Sequence, residues 1–426
     1  MCGLSGIRLS LWALFSSAIG EMISFFEHET IFLSVVKWVL LATGIGLLVG
    51  ATAAGFVHLI HLTTQFSETL PYHYLLLPLA LVSSLFLTRK LAPEATGHGT
   101  EKVIEAVHKR QGKINIRVVP VKLVTTLLTL SAGGSVGKEG PSAQIGAALA
   151  SLFSQLLRFD AAHRRILVIC GISAGFSAIF GTPISGAIIG VEILIIGSIS
   201  YEVLLPSFVA GIVSYLVCSH LGMDYMQYDV VYNTVLNESF LAIVMGASLF
   251  FALCAMLLIE SLRGVERLHR RLSMNVYLQA LLAGLFLAGL TYLIGPQYLG
   301  LGMEYIESAL GGAPVHNYDF LLKILFTIVT LTFGGSGGIV TPILFIGASA
   351  GAFFAQLFGL DIATFASIGM VCVLSGAANT PIAASIMAIE LFGVELAPYA
   401  AVGCVISFLF TGHRSVYPTQ ILKLAK

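Results

Sequence analysis

The chain has 426 residues, of which 57% are hydrophobic and only 10% are charged. Soluble domains carry roughly 25% charged residues, so this composition indicates an integral membrane protein. Lys+Arg and Asp+Glu both number 22, so no excess of positive charge is available for binding nucleic acid.

The predicted elements begin with a mostly apolar N-terminal stretch that carries a few charges and no clear cleavage site. We expect residues 1–30 to form an interfacial amphipathic helix. Long apolar runs follow, and several reach or approach the roughly 20 residues that span a bilayer. These runs are Trp38 to Val57, Tyr74 to Leu87, Phe240 to Leu258 and Tyr277 to Ile294. The pattern predicts an all-α, polytopic membrane protein.

The segment 133–141 reads Gly-Gly-Ser-Val-Gly-Lys-Glu-Gly-Pro and places Lys138 beside Glu139 within apolar sequence. Ionisable groups at membrane depth are costly and tend to face a cavity, a partner or an ion path. Pro141 suits the first turn of a helix, and a helix N-terminus attracts anions. The segment therefore combines an anion-attracting helix end with a titratable carboxylate.

An internal repeat is the main feature of the chain. At a constant offset of 201, residues 122–156 and 323–357 share 15 identities in 35 positions, including glycines and a proline in the same order. A duplication explains this order better than chance similarity of apolar sequence. We predict two transmembrane repeats, at 31–220 and 236–426.

The orientation of the repeats follows from their basic residues, which concentrate on the cytoplasmic side of a membrane. The turn after the first long helix, at 68–74, has no Lys or Arg, whereas its equivalent carries four arginines between residues 263 and 271. One helix later the bias reverses, with Arg89 and Lys90 in the first repeat only. The second repeat is therefore predicted to be inverted, and inverted repeats place substrate sites where broken helices end near the midplane.

Short helices interrupted by Gly or Pro occur in both halves. Non-helical backbone at membrane depth is tolerated only where it is buried or lines a cavity. We expect the helix N-termini near His98, Glu139 and Ile339 to converge with the Tyr417 region on one central point. Convergent dipole ends select an anion without a full cationic charge that would trap it.

Other chemistry is weakly represented. The six cysteines contain no CxxC pair, so we expect neither a metal site nor a disulfide framework, and no cofactor. Gly171-Ile-Ser-Ala-Gly175 matches a hydrolase motif, but it lies in a small-residue helical run with no strand before it. An intramembrane hydrolase with Ser173 as nucleophile is a minor alternative, and we expect the protein not to be an enzyme.

Several motifs resemble those of the CLC chloride channel and transporter family. Gly-Lys-Glu-Gly-Pro at 137–141 is similar to the family's Gly-Arg-Glu-Gly-Pro, and Gly-Gly-Ile-Val-Thr-Pro at 337–342 to its Gly-x-Phe-x-Pro segment. Gly97-His98-Gly99 takes the place of Gly-Ser-Gly-Ile-Pro, and Tyr417 resembles the anion-contacting tyrosine. The resemblance covers about residues 31–424. It implies the inverted-repeat CLC fold, with many tilted and broken helices, and a multi-pass homodimer in the cell inner (plasma) membrane.

The resemblance also implies roles for individual residues. Glu139 resembles the gating and proton-transfer glutamate, whose carboxylate competes with the anion and swings away when protonated. Chloride or a similar small anion and protons would be the transported species, with the lipid bilayer around the protein. The residues implied to bind the anion are His98, Gly137, Lys138, Gly140, Ile339, Val340 and Tyr417.

The sequence departs from the family pattern at important positions. His98 replaces the usual serine, and Val340 stands where phenylalanine is usual. The internal proton-relay glutamate of coupled transporters corresponds to Ile193, which cannot take a proton. We expect the adjacent Glu192 and its counterpart Glu390 to satisfy buried backbone N–H groups. Chloride/proton exchange is the working hypothesis, and a passive voltage- or proton-gated chloride channel is the alternative.

Overall fold

A computed structural model describes the backbone at residues 4–223, 225 and 237–422, with side chains from residue 32 onward. The first helix runs from Leu4 to Glu68 without a break at residue 31. The predicted N-terminal segment 1–30 therefore continues directly into the first apolar span. Its interfacial position stays a prediction. The last residues of the predicted second repeat, 423–426, lie outside the described part.

In the described residues up to 223, the chain forms eight α-helices of very different lengths. They are α1 (Leu4–Glu68), α2 (Leu77–Leu91), α3 (Thr100–Lys109), α4 (Val118–Ser131), α5 (Glu139–Leu156), α6 (Ala161–Phe180), α7 (Pro183–Glu192) and α8 (Leu204–His220). Short 3-10 turns occur at His73–Leu76, Pro93–Ala95 and Tyr201–Val203.

The second half forms eight more helices within the described residues. They are α9 (Glu238–Arg271), α10 (Val276–Ile294), α11 (Met303–Leu310), α12 (Asp319–Thr332), α13 (Val340–Phe358), α14 (Ile362–Ala378), α15 (Pro381–Phe392) and α16 (Ala397–Thr411). Seven helical stretches in the described part of the chain are long and apolar enough to cross a membrane, and shorter apolar helices lie between them. This pattern confirms the predicted all-α, polytopic architecture.

Repeat-related residues contact each other across the centre of the molecule. The backbone N–H of Ser135 donates to the Thr330 hydroxyl, and the N–H of Ser336 donates to the Thr129 hydroxyl. Under the offset of 201, Ser135 corresponds to Ser336 and Thr129 to Thr330, so the two hydrogen bonds are equivalent. Two copies of one segment make reciprocal contacts of this kind when a local two-fold axis relates them.

Close helix packing depends on glycine at matched positions in the two halves. A Cβ on Gly146 of α5 would lie 2.3 Å from the carbonyl oxygen of Gly171 in α6. A Cβ on Gly347 of α13 would lie 2.5 Å from the carbonyl oxygen of Gly369 in α14. Small residues allow backbones to approach closely, which is how helices associate where lipid offers no hydrophobic driving force. The two helix pairs thus hold the starts of α5 and α13 in fixed positions.

Two very short strands tie the C-terminal end to the first half. Ile195–Ile196 (β1) pairs in parallel with Ile421–Leu422 (β2). The helix that begins at Pro183 therefore ends at Glu192, although the apolar sequence continues to Ile196. The backbone N–H and C=O groups beyond that point are used in strand pairing rather than in another helical turn.

Candidate anion-binding site

The loops before α5 and α13 lie side by side in the interior. Gly137 N–H donates to Gly338 O at 2.7 Å, and Gly338 N–H donates to Gly137 O at 2.6 Å. These residues are equivalent in the repeat, and they form an isolated antiparallel bridge. The bridge brings the N-terminal ends of two helices, each with unpaired N–H groups, to one place.

The Glu139 side chain lies on the N-terminal turn of α13. Its carboxylate accepts a hydrogen bond from the Thr341 backbone N–H at 3.2 Å and another from the Thr341 hydroxyl. Glu139 is 2% exposed, and a Cβ on Gly137 would lie 2.3 Å from its Oε2 atom. A helix N-terminus is a favourable position for an anion. The carboxylate therefore occupies a position that also suits a small anion.

His98 and Tyr417 lie next to this region. Their rings contact edge to face with centroids 5.3 Å apart, and both side chains are buried. The His98 backbone carbonyl closely approaches Gly140, where a Cβ would lie 2.2 Å from it. The Tyr417 hydroxyl lies near that of Thr100 and within electrostatic reach of Glu139. The structure thus brings four of the predicted positions, His98, Glu139, Gly140 and Tyr417, into one neighbourhood.

Three buried side-chain atoms that can donate a hydrogen bond lack a partner in this neighbourhood among the described residues. They are His98 Nδ1, the Thr100 hydroxyl and the Tyr417 hydroxyl. Buried polar groups nearly always have a partner, in protein, water or ligand. Each of these three atoms can carry a hydrogen and donate it. The cluster is therefore chemically suited to bind an anion.

Two buried lysines hold the loops that lead into the site. Lys122 Nζ donates to the carbonyl oxygens of Ala95 at 3.2 Å and Gly97 at 2.6 Å. Lys323, its repeat equivalent, donates to Tyr298 O at 3.1 Å and Gly300 O at 3.0 Å. Both lysines are 0% exposed. They fix the loop that carries His98 and its counterpart in the second half.

The remaining predicted residues have varied surroundings. Ile339 and Val340 are buried at the start of α13, with Ile339 as the N-cap. Lys138 is partly exposed and is the N-cap of α5. Ile193 is 1% exposed, and its carbonyl accepts a hydrogen bond from the Gln420 side chain at 2.9 Å. Position 193 therefore presents only a buried apolar side chain.

Glu192 on α7 caps the start of α15, and Glu390 on α15 caps the start of α7. The Glu192 carboxylate accepts from the N–H groups of Ile382 and Ala383 at 3.1 and 2.8 Å. The Glu390 carboxylate accepts from the corresponding first-turn N–H groups of α7, at 2.9 and 2.8 Å. The prediction that these glutamates satisfy buried backbone N–H groups is confirmed. They also join the two halves of the chain.

Ser173 lies in a setting unlike that of a nucleophile. It is inside α6, fully buried, and its hydroxyl donates to the Ala187 carbonyl at 2.9 Å. A hydrolase elbow instead presents its serine on a sharp turn between strand and helix. Within the part of the chain that the structure describes, no group of three or more His, Cys, Asp or Glu is placed to hold a metal.

Two contributors to the site were missed from the sequence. Thr341 gives no sign, in its local context, that it contacts a residue 202 positions earlier. Gln420 lies beyond the tyrosine motif, and its side chain also donates to Ala378 O at 2.9 Å. A polar residue in the first turn after a glycine-rich loop is the signal that could have identified Thr341, because such side chains face the helix end.

Comparisons with known proteins identify the family. Residues 79–412 match the family model described as voltage gated chloride channel. The chain is 35% identical over 410 residues to the "Chloride/fluoride channel protein" of Pseudomonas syringae pv. tomato, covering 94% of this chain and 90% of the relative. It is 27% identical over 357 residues to the "H(+)/Cl(-) exchange transporter ClcA" of Citrobacter koseri, covering 76% and 73% of the two chains.

Solved structures show the same architecture. A "CLC-type fluoride/proton antiporter" matches with a TM-score of 0.87 at 28% identity, over 92% of this chain and 99% of the other. A "slow cyanobacterial Cl-/H+ antiporter" matches with a TM-score of 0.77 at 21% identity, over 88% and 94%. The predicted family, fold class and multi-pass inner-membrane location are confirmed. The chain belongs to the voltage-gated chloride channel (CLC) family and has its inverted-repeat helical fold.

Proposed function

We propose that this protein exchanges a small halide, chloride or fluoride, for protons across the inner membrane, with Glu139 as the gate. The observation that carries the proposal is the Glu139 carboxylate on the N-terminal turn of α13, held by the Thr341 N–H and hydroxyl. A negative side chain there excludes a negative ion. Two similar proteins, a chloride/fluoride channel protein and a CLC-type fluoride/proton antiporter, support the class of substrate.

The anion path consists mainly of helix ends. Backbone N–H groups of Lys138 and Gly140 and of Ile339 and Val340 line it from two sides, because α5 and α13 both begin there. The Gly137 N–H does not take part, because it donates to Gly338 O in the bridge between the two loops. His98 and Tyr417 supply side-chain donors on the other side of the site. Partial charges of this kind attract an anion and still let it leave. Lys138 adds positive potential.

Proton binding couples the gate to the anion. When Glu139 is ionised, its carboxylate keeps both hydrogen bonds to Thr341 and blocks the anion position. When it is protonated, it loses its charge and most of its attraction to the helix end, so it swings away and the anion enters. Each anion passage thus alternates with proton transfer at one carboxyl group.

The runner-up is a passive channel with the same gate. Ile193 favours it, since a buried isoleucine stands where coupled relatives are expected to carry an internal proton acceptor. We further propose that residues 31–220 and 236–426 are the two inverted repeats, that two copies associate as a homodimer with separate pathways, and that the protein is not an enzyme. The family resemblance supports the dimer, and mass determination in detergent micelles tests it.

The experiment is a measurement of reversal potential in liposomes that contain purified protein, under combined anion and proton gradients. For an exchanger, the reversal potential shifts with the pH gradient; for a channel, it follows the anion gradient alone. Glu139→Gln is the matched variant, because it keeps size and removes titration. We expect it to conduct anions without moving protons. Proton-driven anion uptake by Glu139→Gln would contradict the assignment of Glu139.

A further inference from the structure

The inner half of the proton route is unexplained, because Ile193 cannot carry a proton. A different pair of titratable groups lies at the start of α3. His98 Nε2 is 3.5 Å from Glu101 Oε2, one helical turn further along the chain. A small rotation of either side chain closes that distance to hydrogen-bond length. The pair belongs to the loop that Lys122 holds in place.

Glu101, the cytoplasmic end of this pair, lies in a charged and partly exposed region. The side chain of Glu101 is 28% exposed, against 7% for that of His98. Lys102, Glu105, Glu266 and Arg270 are the charged groups near enough to act on Glu101. The last two belong to the final turns of α9, whose basic residues mark the cytoplasmic side. Burial raises the pKa of Glu101, which brings proton exchange with the cytoplasm closer to neutral pH.

His98, the other end of the pair, lies beside the candidate anion-binding site. His98 Nδ1 is buried and has no hydrogen-bond partner among the described residues. The ring contacts Tyr417, and the unpartnered hydroxyls of Tyr417 and Thr100 lie beside it. The His98 backbone is packed against Gly140, the residue after the gate. The His98 ring therefore has a carboxylate near Nε2 and an unpartnered Nδ1, and it contacts Tyr417, which lies within electrostatic reach of Glu139.

We propose that Glu101 and His98 form the inner half of the proton path and replace the relay that Ile193 cannot provide. The proposal rests on the exchange function proposed for Glu139. When a proton moves from the cytoplasm to the anion site, the Glu101 O–H bond breaks as an N–H bond forms at His98 Nε2. The Nδ1–H bond breaks in the same transfer, and its proton passes to the Glu139 carboxylate, directly or through a water or hydroxyl. Rotation of the ring then restores the first tautomer, and Glu101 takes up another proton from the cytoplasm.

The role of His98 as an anion ligand is compatible with this route but does not require it. An anion ligand needs one N–H donor and no neighbouring acid. The relay also needs Glu101. The Glu101 carboxylate lies near His98 Nε2, whereas the unpartnered donors that suit the anion are His98 Nδ1 and the Thr100 and Tyr417 hydroxyls. A change at Glu101 therefore separates the relay from anion binding.

The test compares Glu101→Gln with Glu105→Gln in liposomes. Both variants remove one carboxylate from the same face of α3, and Glu105 contacts Lys102 rather than His98. Halide efflux is followed with an ion-selective electrode and proton uptake with a pH electrode on the same sample. We expect Glu101→Gln to lower proton uptake by about 100-fold, a usual loss for a removed proton-transfer group, and Glu105→Gln to stay near wild type.

Folding and anion binding are checked separately. Halide binding to detergent-purified Glu101→Gln, measured by calorimetry, is expected to match wild type, and so is its elution as a single species. His98→Asn removes the second transfer site, so it is expected to lose proton uptake as Glu101→Gln does. Normal proton uptake in Glu101→Gln would overturn the relay. Absence of proton uptake in the wild type would instead overturn the exchange function.

Discussion

Substitution of Thr341 by valine tests how the gate is held shut. Valine has nearly the shape of threonine, so Thr341→Val removes the hydroxyl that donates to the Glu139 carboxylate and keeps the backbone N–H donor at 3.2 Å. Hydrogen bonds to charged groups contribute about 1.5–3 kcal/mol. At 1.4 kcal/mol per factor of ten, the ratio of closed to open gate is expected to fall by about 10- to 150-fold.

The consequence is measurable as loss of coupling. A gate that opens without a proton lets anions pass alone, so halide efflux from liposomes rises and the number of protons moved per anion falls. Thr341→Ser is the matched control because it keeps a hydroxyl at the same position. We expect the serine variant to retain coupling. Equal proton-to-anion ratios in wild type, Thr341→Val and Thr341→Ser would refute the view that this hydroxyl holds the gate.

Three further substitutions test the framework, each by the thermal unfolding midpoint of purified protein in detergent. Gly351→Ala is expected to lower the midpoint, since a Cβ there would lie 1.9 Å from the Phe365 carbonyl oxygen and overpacking costs about 1–3 kcal/mol. Gly246→Ala is the control, because a Cβ there would have no atom within 4 Å, and it is expected to keep or raise the midpoint. Lys122→Met leaves two buried carbonyls without their donor and is expected to lower both the midpoint and halide affinity; an unchanged midpoint would show that the loop holds itself. Glu192→Gln keeps one acceptor oxygen, without its charge, and replaces the other by an NH2 group that cannot accept from a backbone N–H. We expect it to cost about 1–2 kcal/mol, and a gain in stability would contradict its capping role.

Much of the fold was predictable because the chain repeats itself. The offset of 201 aligns Ser135 with Ser336, and these residues make equivalent contacts to threonines of the opposite half. Composition and apolar run length were sufficient for the membrane class, since a bilayer imposes both. Helix ends were less predictable. The helix that starts at Pro183 stops at Glu192 because Ile195 and Ile196 pair with a strand more than 220 residues away.

The candidate site was predictable where its chemistry is local. Glu139 in a glycine-rich loop before a helix is a local pattern, and its position at a helix end follows from it. The contact with Thr341 is not local, because it depends on how two loops meet through the Gly137–Gly338 bridge. Lys122 and Lys323 were recognisable as a matched pair, but their carbonyl partners depend on how each helix folds back on the preceding loop.

The two halves are alike in framework and different in chemistry. Each has a buried lysine that holds the loop before a short helix, and each contributes one helix start to the centre. Under the offset of 201 the counterpart of Glu139 is Val340. At an offset of 203, where Gly97 and Gly99 match Gly300 and Gly302, the counterpart of His98 is Leu301. Two carboxylates at one buried point would repel each other and oppose the ionisation of either. The two halves can therefore contribute equivalent N–H donors to an anion. A proposed gate that must exist in two protonation states requires a carboxylate from one half only.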